Sequence, residues 1–186
     1  NYLQLIGSLL YLTNTRPDIC YHMSVLCSFM HDPSPDAYYA AIDLLLYVNA
    51  TKHYRLNFNG SAKPPSGVDP KLASSISTSG GLIAYSDSSW RKPDSLGFNM
   101  FGYVIYLYGS PISYAAKSLK IVALSSAEAE YAAASYTCKE VQFVRKVMSD
   151  LGFPPKGPVV LAVDNQAAIK IAENVGVTAR TKHFVD

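Results

Sequence analysis

Hydrophobic and polar residues repeat with two different periods along this chain of 186 residues. Up to about residue 59, apolar residues recur every three to four positions, which predicts amphipathic helices. From Gly81 onward they alternate at every second position, which predicts strands. Residues 60–80, between these parts, are rich in Gly, Pro and Ser, as is typical of a linker. We therefore predict a helical segment at 1–59, a linker at 60–80 and a second domain at 81–186.

Two helix start signals occur within the helical segment. The motif Thr-Arg-Pro-Asp predicts an N-cap at Thr15, followed by a helix over residues 19–30. The motif Ser-Pro-Asp predicts a second N-cap at Ser34 and a third helix after it. The third helix is expected to pack on the helix at 19–30 through five apolar residues: Ala37, Ala41, Leu44, Leu45 and Val48.

Past Gly81 the pattern predicts four strands and two helices. In chain order they are strands at 82–87, 98–108 and 110–118, a long helix at about 127–151, a strand at 159–164 and a helix at 165–174. The short Tyr108-Gly109-Ser110 break between the second and third strand-like runs predicts a hairpin. Because the long helix crosses over, the last strand is predicted to lie parallel to the first and next to it. The fold class is α/β, with three antiparallel strands and one parallel strand in a mixed sheet covered by helices.

Composition narrows the class of protein. Hydrophobic residues make up 49% of the chain and charged residues 16%, which excludes a disordered protein. Every apolar run is too short to span a bilayer, so we expect no membrane partner. The net charge of +2 is too small to indicate a nucleic-acid surface. Cys20, Cys27 and Cys138 lack metal-binding spacing and predict buried free thiols in a reducing compartment.

Three acidic residues lie where separate elements begin or end. Asp87 ends the first strand, Glu130 lies one turn into the long helix, and Asp164 ends the parallel strand. These positions allow acids that are far apart in sequence to meet at one edge of the sheet. Magnesium prefers oxygen ligands from a few carboxylates. The three acids therefore predict a magnesium site suited to phosphodiester chemistry.

Each acid also has an ordinary structural alternative. Asp87 fits an Asx turn, Glu130 a solvated surface acid, and Asp164 a helix N-cap. Glu128 fits a capping box with Ser125, so we expect it to have a structural role. Four aromatic residues are suited either to stacking on bases or to core and cross-strand packing: Trp90, Tyr103, Tyr106 and Tyr114.

Five motifs carry a resemblance when they are taken in order. They are YLQLIGSLLYLTNTRPDI, AYSDSSW, VALSSAEAEYAAA, VDNQAAI and ARTKH. Along nearly its whole length the chain resembles the C-terminal part of the reverse transcriptase polyprotein of copia-type LTR retrotransposons. By this resemblance, residues 1–59 are the thumb-like, connecting end of the polymerase, and residues 81–186 are a ribonuclease H domain.

The resemblance implies an endonuclease that hydrolyses the RNA strand of RNA/DNA hybrids. Asp87, Glu130 and Asp164 match the first three metal-binding acids of the family, which implies two magnesium ions that manganese can replace. Asp186 is the acid that remains to substitute for the family's fourth metal ligand. The predicted substrate contacts are Ser88, Trp90, Arg91, Asn165, Lys182 and His183. The implied partners are the hybrid and the polymerase part of the same polyprotein. The implied location is the cytoplasm, including virus-like particles within it.

The chain also departs from the family pattern. The basic, Ser/Thr-rich stretch expected after Trp90 is replaced by RKPDSLGFNMF. The last strand and the final helix, which bear the fourth acid, are expected to be missing, so that Asp186 is the remaining candidate. Two other functions therefore stay open. One is a noncatalytic scaffold from a decayed or domesticated retroelement, and the other is a metal nuclease of the integrase or resolvase kind.

Overall fold

The computed structural model describes residues 1–58, 60, 80–90 and 99–173. Most of the predicted linker and the altered stretch after Trp90 lie outside these ranges. Four candidate site residues also lie outside them: Arg91, Lys182, His183 and Asp186. The chain divides into two compact units, Asn1–Asn57 with Ala115–Lys117, and Phe58–Tyr114 with Ser118–Asp186.

Three α-helices and a 3₁₀ turn make up the helical unit. They are α1 (Tyr2–Leu12), the turn Pro17–Ile19, α2 (Cys20–Ser28) and α3 (Pro35–Ala50). The predicted cap of α3 is confirmed, because the Ser34 side chain accepts a hydrogen bond of 3.1 Å from the amide of Ala37. The inward faces form one apolar core: Tyr2, Ile6, Leu9, Ile19, Met23, Leu26, Ala37, Ala41 and Leu44.

Two predictions for these helices are wrong. Thr15 does not cap the second helix, because Arg16 occupies the N-cap position of the 3₁₀ turn. The Thr15 hydroxyl instead donates to the carbonyl of Leu12 at the end of α1. Leu45 does not lie on the inward face of α3 and is 41% exposed. One residue further along a helix turns the side chain by about 100°, which carries Leu45 out of the core that its neighbour Leu44 enters.

Arg16 is buried in the helical unit although it is charged. Its guanidinium donates to both carboxylate oxygens of Asp18, at 2.9 and 2.6 Å, and to the Thr51 hydroxyl at 2.7 Å. The Tyr47 hydroxyl also donates to Asp18, at 3.0 Å. The hydrogen bonds from Arg16 are the largest cause of the lowered pKa of Asp18. This network connects the start of α2 to the end of α3.

Four strands and two helices form the sheet unit within the described ranges, except that Ala115–Lys117 of the third strand group with the helical unit. They are β1 (Leu82–Ser89), β2 (Met100–Leu107), β3 (Ser110–Ser118), α4 (Ser126–Asp150), β4 (Val160–Ala162) and α5 (Gln166–Glu173). The strand order is β3-β2-β1-β4. β1 is antiparallel to β2 and parallel to β4, which confirms the predicted crossover. The mixed sheet with its helices is consistent with a ribonuclease H-like fold.

A two-residue turn connects β2 to β3. Tyr108 and Gly109 both have positive φ, 48° and 76°, as the type I′ hairpin turn requires. Glycine adopts this conformation without steric cost because it lacks a Cβ. The predicted hairpin and the predicted start of β3 are therefore confirmed.

The long helix α4 packs across β1. Its N-terminus is capped by the Ser125 hydroxyl, which accepts from the amide of Glu128 at 3.2 Å. The buried Glu128 carboxylate in turn accepts from the amide of Leu124 at 2.6 Å. The predicted structural role of Glu128 is therefore confirmed.

Two predictions from composition concerned the state of the cysteines and the absence of a membrane-spanning segment. All three cysteines are free, as predicted, but none is buried: Cys20 and Cys27 are partly exposed, and Cys138 is exposed. Among the helices of the described ranges, none combines the length and the apolar character needed to cross a membrane.

Candidate metal centre

Asp87, Glu130 and Asp164 come together in the sheet unit. Each offers one carboxylate oxygen, and these three atoms all lie within 4.8 Å of one another. The acids come from β1, from the first turns of α4 and from the segment that follows β4. The predicted convergence of the three acids is therefore confirmed.

Asp87 lies inside a regular strand. β1 continues to Ser89, and Asp87 pairs with Gly102 of β2. The alternative of an Asx turn at a strand end is therefore wrong. The Asp87 side chain is exposed, so that its carboxylate is accessible from solvent.

Glu130 is only 5% exposed, so the alternative of a solvated surface acid is wrong. Its Oε1 accepts a hydrogen bond of 3.1 Å from the amide of Ser88. That amide is available because β4 is short and pairs with β1 only from Ile83 to Tyr85. The other oxygen, Oε2, is buried and has no hydrogen-bond partner among the described residues.

Burial is the main cause that raises the pKa of Glu130. The nearby carboxylates of Asp87 and Asp164 raise this pKa further, whereas the hydrogen bond from the amide of Ser88 lowers it. Within the described ranges, neither of the two ion pairs involves the three acids. Like charges at this separation oppose one another unless a cation lies between them. A buried oxygen without a partner and a set of carboxylate ligands fit a hard divalent cation.

Asp164 is not the cap of α5. The Asn165 side chain accepts hydrogen bonds from the amides of Ala167, at 2.9 Å, and Ala168, at 3.1 Å. Asn165 is therefore the N-cap, which leaves the exposed carboxylate of Asp164 free for the acid cluster. This removes the main structural alternative for Asp164.

The other described candidates have structural contacts of their own. Ser88 supplies its amide to Glu130, and its hydroxyl is buried without a partner in the described structure. The Trp90 indole donates to the carbonyl of Ala123 at 3.0 Å, just before α4. Tyr103 is buried, and Tyr106 packs edge-on against Tyr85. These aromatic contacts match the packing alternative, and the role of Ser88, Trp90 and Asn165 in binding substrate stays a prediction.

The sheet and its helices are consistent with a ribonuclease H-like fold, and this α/β unit carries a cluster of three carboxylates. Over 185 residues the chain is 35% identical to the retrovirus-related Pol polyprotein from transposon RE1 of Arabidopsis thaliana. The aligned part is 98% of this chain and 11% of that protein. Over 184 residues the chain is 33% identical to the Pol polyprotein from transposon TNT 1-94 of Nicotiana tabacum, with coverage of 98% and 12%.

A third relative is Secreted RxLR effector protein 161 of Plasmopara viticola, 33% identical over 142 residues, or 75% of this chain and 87% of that protein. No family model and no solved structure matches the chain. Over nearly its whole length the chain is therefore similar to a segment of retrovirus-related Pol polyproteins from copia-type transposons. It spans 11–12% of the length of the Pol relatives named above.

Proposed function

We propose that the chain is a divalent-metal-dependent endonuclease that hydrolyses the RNA strand of RNA/DNA hybrids during retrotransposon reverse transcription. The observation that carries this proposal is the approach of Asp87, Glu130 and Asp164 to within 4.8 Å in a ribonuclease H-like fold. The similarity to Pol polyproteins from transposons supports a retroelement context. The polymerase part of the same polyprotein is the corresponding partner.

The three acids have different surroundings and therefore different tasks. Asp87 and Asp164 are exposed and can meet both a cation and a substrate phosphate. Glu130 is buried beneath them, with Oε1 fixed by the amide of Ser88 and Oε2 free to act as a ligand. A carboxylate that is already held in place needs little reorganisation when charge develops during the reaction. Magnesium ions held by Asp87, Glu130 and Asp164, or manganese in their place, would supply an activated water and stabilise the departing 3′ oxygen.

The choice of the RNA strand rests on contacts with 2′-hydroxyl groups, made by shape more than by sequence. The candidates for these contacts are Ser88, Trp90 and Asn165 beside the acid cluster, together with Arg91, Lys182 and His183. The products are a 3′-hydroxyl end and a 5′-phosphate end. A noncatalytic scaffold is less well supported. A protein that only binds nucleic acid does not need three acids to converge without an ion pair to a basic residue, as they do in the described ranges.

Cleavage of a fluorescent RNA/DNA hybrid by the full chain, with magnesium and then with manganese, tests the proposal. We expect Asp87→Asn to lower the cleavage rate by at least about 100-fold, because loss of a direct ligand exceeds the effect of losing a supporting contact. Asp150→Asn is the matched control, since Asp150 is an exposed acid on α4 that pairs with Lys146 at 3.6 Å. It should cleave at the wild-type rate.

Three results contradict the proposal. Equal cleavage by wild type and Asp87→Asn removes the mechanism. A folded wild type that binds hybrid but cleaves with neither ion supports the scaffold. Cleavage of DNA duplexes in preference to hybrids supports a nuclease of the integrase or resolvase kind.

A further inference from the structure

Within the described ranges, side-chain hydrogen bonds connect α4 to β1 both at the acid cluster and outside it. The first is the bond from the amide of Ser88 to Glu130. The second joins the hydroxyl groups of Ser86 and Thr137, whose oxygens lie 3.0 Å apart. Nothing in the chemistry proposed above requires this second bond, which lies in the interior of the sheet unit.

Backbone pairing positions only two of the three acids. Asp87 belongs to β1, and Asp164 follows β4, which is hydrogen-bonded in parallel to β1. Glu130 belongs to a helix, and a helix makes its backbone hydrogen bonds within itself. Its position over the sheet therefore depends on side-chain contacts alone.

The two small apolar residues beside Glu130 do little by themselves to fix the rotation of α4, and the stacked rings of Phe101 and Tyr136, with centroids 5.1 Å apart, lie further along the helix. Ala129 and Ala133 are fully buried against the sheet, but methyl groups present small, smooth surfaces that allow a helix to slide or turn. A hydrogen bond is directional and weakens steeply away from its preferred angle. It therefore restricts both the rotation and the axial position of the helix.

The Ser86–Thr137 pair is strongly constrained by burial. Thr137 is 0% and Ser86 is 6% exposed, so neither hydroxyl can exchange its partner for bulk water. Thr137 also lies 2.9 Å from the carbonyl of Ala133. Each hydroxyl has one proton, so the two protons together satisfy both contacts. Leaving a buried hydroxyl without a partner is unfavourable, which keeps this arrangement in place.

We propose that Ser86 and Thr137 are positioning residues for the metal centre, which hold α4 on β1 so that the carboxylate of Glu130 reaches those of Asp87 and Asp164. Thr137 follows Glu130 by seven residues, about two helical turns, and so lies on the same face of α4. Ser86 directly precedes Asp87 in β1. The pair is thus connected to Glu130 through α4 and to Asp87 through β1. This inference rests on the metal centre of the proposed function.

Manganese affinity of the full chain tests the inference, measured by electron paramagnetic resonance of the free ion. Thr137→Val keeps the shape of the side chain and removes the hydroxyl. We expect it to weaken Mn²⁺ binding by about tenfold, since loss of a supporting contact costs roughly 10- to 100-fold in metal affinity. Thr137→Ser keeps the hydroxyl and should restore affinity to within about twofold of wild type. Near-ultraviolet circular dichroism checks that each variant is folded.

Ser86→Ala tests the same bond from the strand. It should weaken Mn²⁺ binding in the same direction, and the double variant with Thr137→Val should be no weaker than the worse single variant, because both changes remove one shared interaction. If Thr137→Val does not fold, Ser86→Ala decides the question alone.

Ser113→Ala is the matched control. The Ser113 hydroxyl donates to Glu140 at 3.1 Å, so it also connects the sheet to α4, but ten residues beyond Glu130. If the hydrogen bonds only stabilise the fold, Ser113→Ala and Thr137→Val should both lower the melting temperature, and neither should change Mn²⁺ affinity. We expect only Thr137→Val to change the affinity.

The outcomes separate this inference from the proposed function. If wild type and Asp87→Asn bind Mn²⁺ equally, the metal centre is absent and both proposals fail. If wild type binds the ion through Asp87 and cleaves hybrid, but Thr137→Val and Ser86→Ala bind it within about twofold of wild type, only the inference fails.

Discussion

At the scale of single residues, Glu130 shows a conflict between stability and function. Its carboxylate is buried, one of its oxygens has no hydrogen-bond partner in the described structure, and two further acids lie close by. A buried charge in such surroundings destabilises the fold unless a partner neutralises it. A cation bound between the three carboxylates would resolve this conflict.

Glu130→Gln should therefore stabilise the metal-free protein and abolish Mn²⁺ binding. We expect the free energy of unfolding to rise by about 1 kcal/mol, a common effect of neutralising a strained site residue. Glu128→Gln provides the comparison, because Glu128 is also buried on α4 but accepts a hydrogen bond from Leu124. It should lose about 1 kcal/mol or less and keep hybrid cleavage. Melting curves in EDTA measure the stability of both variants, and equal losses of stability in the two would contradict the prediction.

Asp164 and Asn165 are adjacent residues with different expected roles. Asn165→Ala removes the cap of α5 and should lower the free energy of unfolding by about 1 kcal/mol. Asp164→Asn should leave stability nearly unchanged and strongly reduce hybrid cleavage. Asn165→Asp is the control, since aspartate also caps helices. If Asp164→Asn destabilises the protein as much as Asn165→Ala, the assignment of the cap is wrong.

At the scale of elements, strand length decides which backbone groups remain free. β4 contains only three residues, Val160–Ala162, and it covers a short part of β1. Glu130 accepts from the amide of Ser88 just beyond this pairing. The end of a short strand thus provides the hydrogen-bond donor that holds a site residue.

The Arg16 network connects two elements of the helical unit and should depend on pH. The pKa of Asp18 is lowered in the folded state, so its contribution to stability is present above the unfolded value of about 3.9 and is lost as pH falls through the folded value. The Asp18 side chain is 30% exposed, which weakens the ion pair. We expect Asp18→Asn to cost about 1 kcal/mol at pH 7.

Urea unfolding followed by circular dichroism at pH 7, 5 and 3 measures this effect. The difference between wild type and Asp18→Asn should shrink between pH 5 and pH 3. Asp43→Asn, on an exposed position of α3, should show a small difference that is the same at each pH. A difference for Asp18→Asn that does not change with pH would show that the charge is not responsible.

At the scale of the whole molecule, the acids of the proposed centre all belong to the sheet unit. The helical unit has its own core and its own ion pair, between Arg16 and Asp18. A ligand that binds only the folded form stabilises the part of the protein that holds its site. Metal binding should therefore affect the two units differently.

Hydrogen exchange measured by mass spectrometry, with and without saturating magnesium, tests this difference. Amides of β1, α4 and β4 should gain protection, by about 2.7 kcal/mol when the ion is present at 100 times its dissociation constant. Amides of α1, α2 and α3 should not change. The Asp87→Asn chain, treated with the same ion, controls for nonspecific effects. Equal protection in both units, or in both chains, would contradict binding at the acid cluster.

Local patterns predicted most elements of the fold. Alternation and turn residues predicted the strands and the hairpin at Tyr108, and the crossover rule predicted the neighbours of β1. The errors at Thr15 and Leu45 have a common cause. A capping preference or a helical period describes one segment, whereas the side chains that surround that segment decide its actual cap and its buried face.

The roles of single acids could be predicted only in part. Element positions indicated that Asp87, Glu130 and Asp164 meet, but each acid retained a structural alternative. Those alternatives were decided by contacts between distant residues, such as Ser88 with Glu130, 42 positions apart. The Ser86–Thr137 bond, 51 positions apart, left no signal in the motifs because Ser and Thr are common in strands and helices alike.

By itself, the order of polar and apolar residues determined which elements form, how the strands pair and that three acids lie near one sheet edge, because these features follow from periodicity and from the handedness of crossovers. Tertiary structure alone decided that Glu130 is buried with an oxygen that has no partner among the described residues, that Asn165 caps α5 and that hydroxyl groups connect α4 to β1. Burial and hydrogen-bond partners depend on all the elements that surround a residue, and no local pattern contains them.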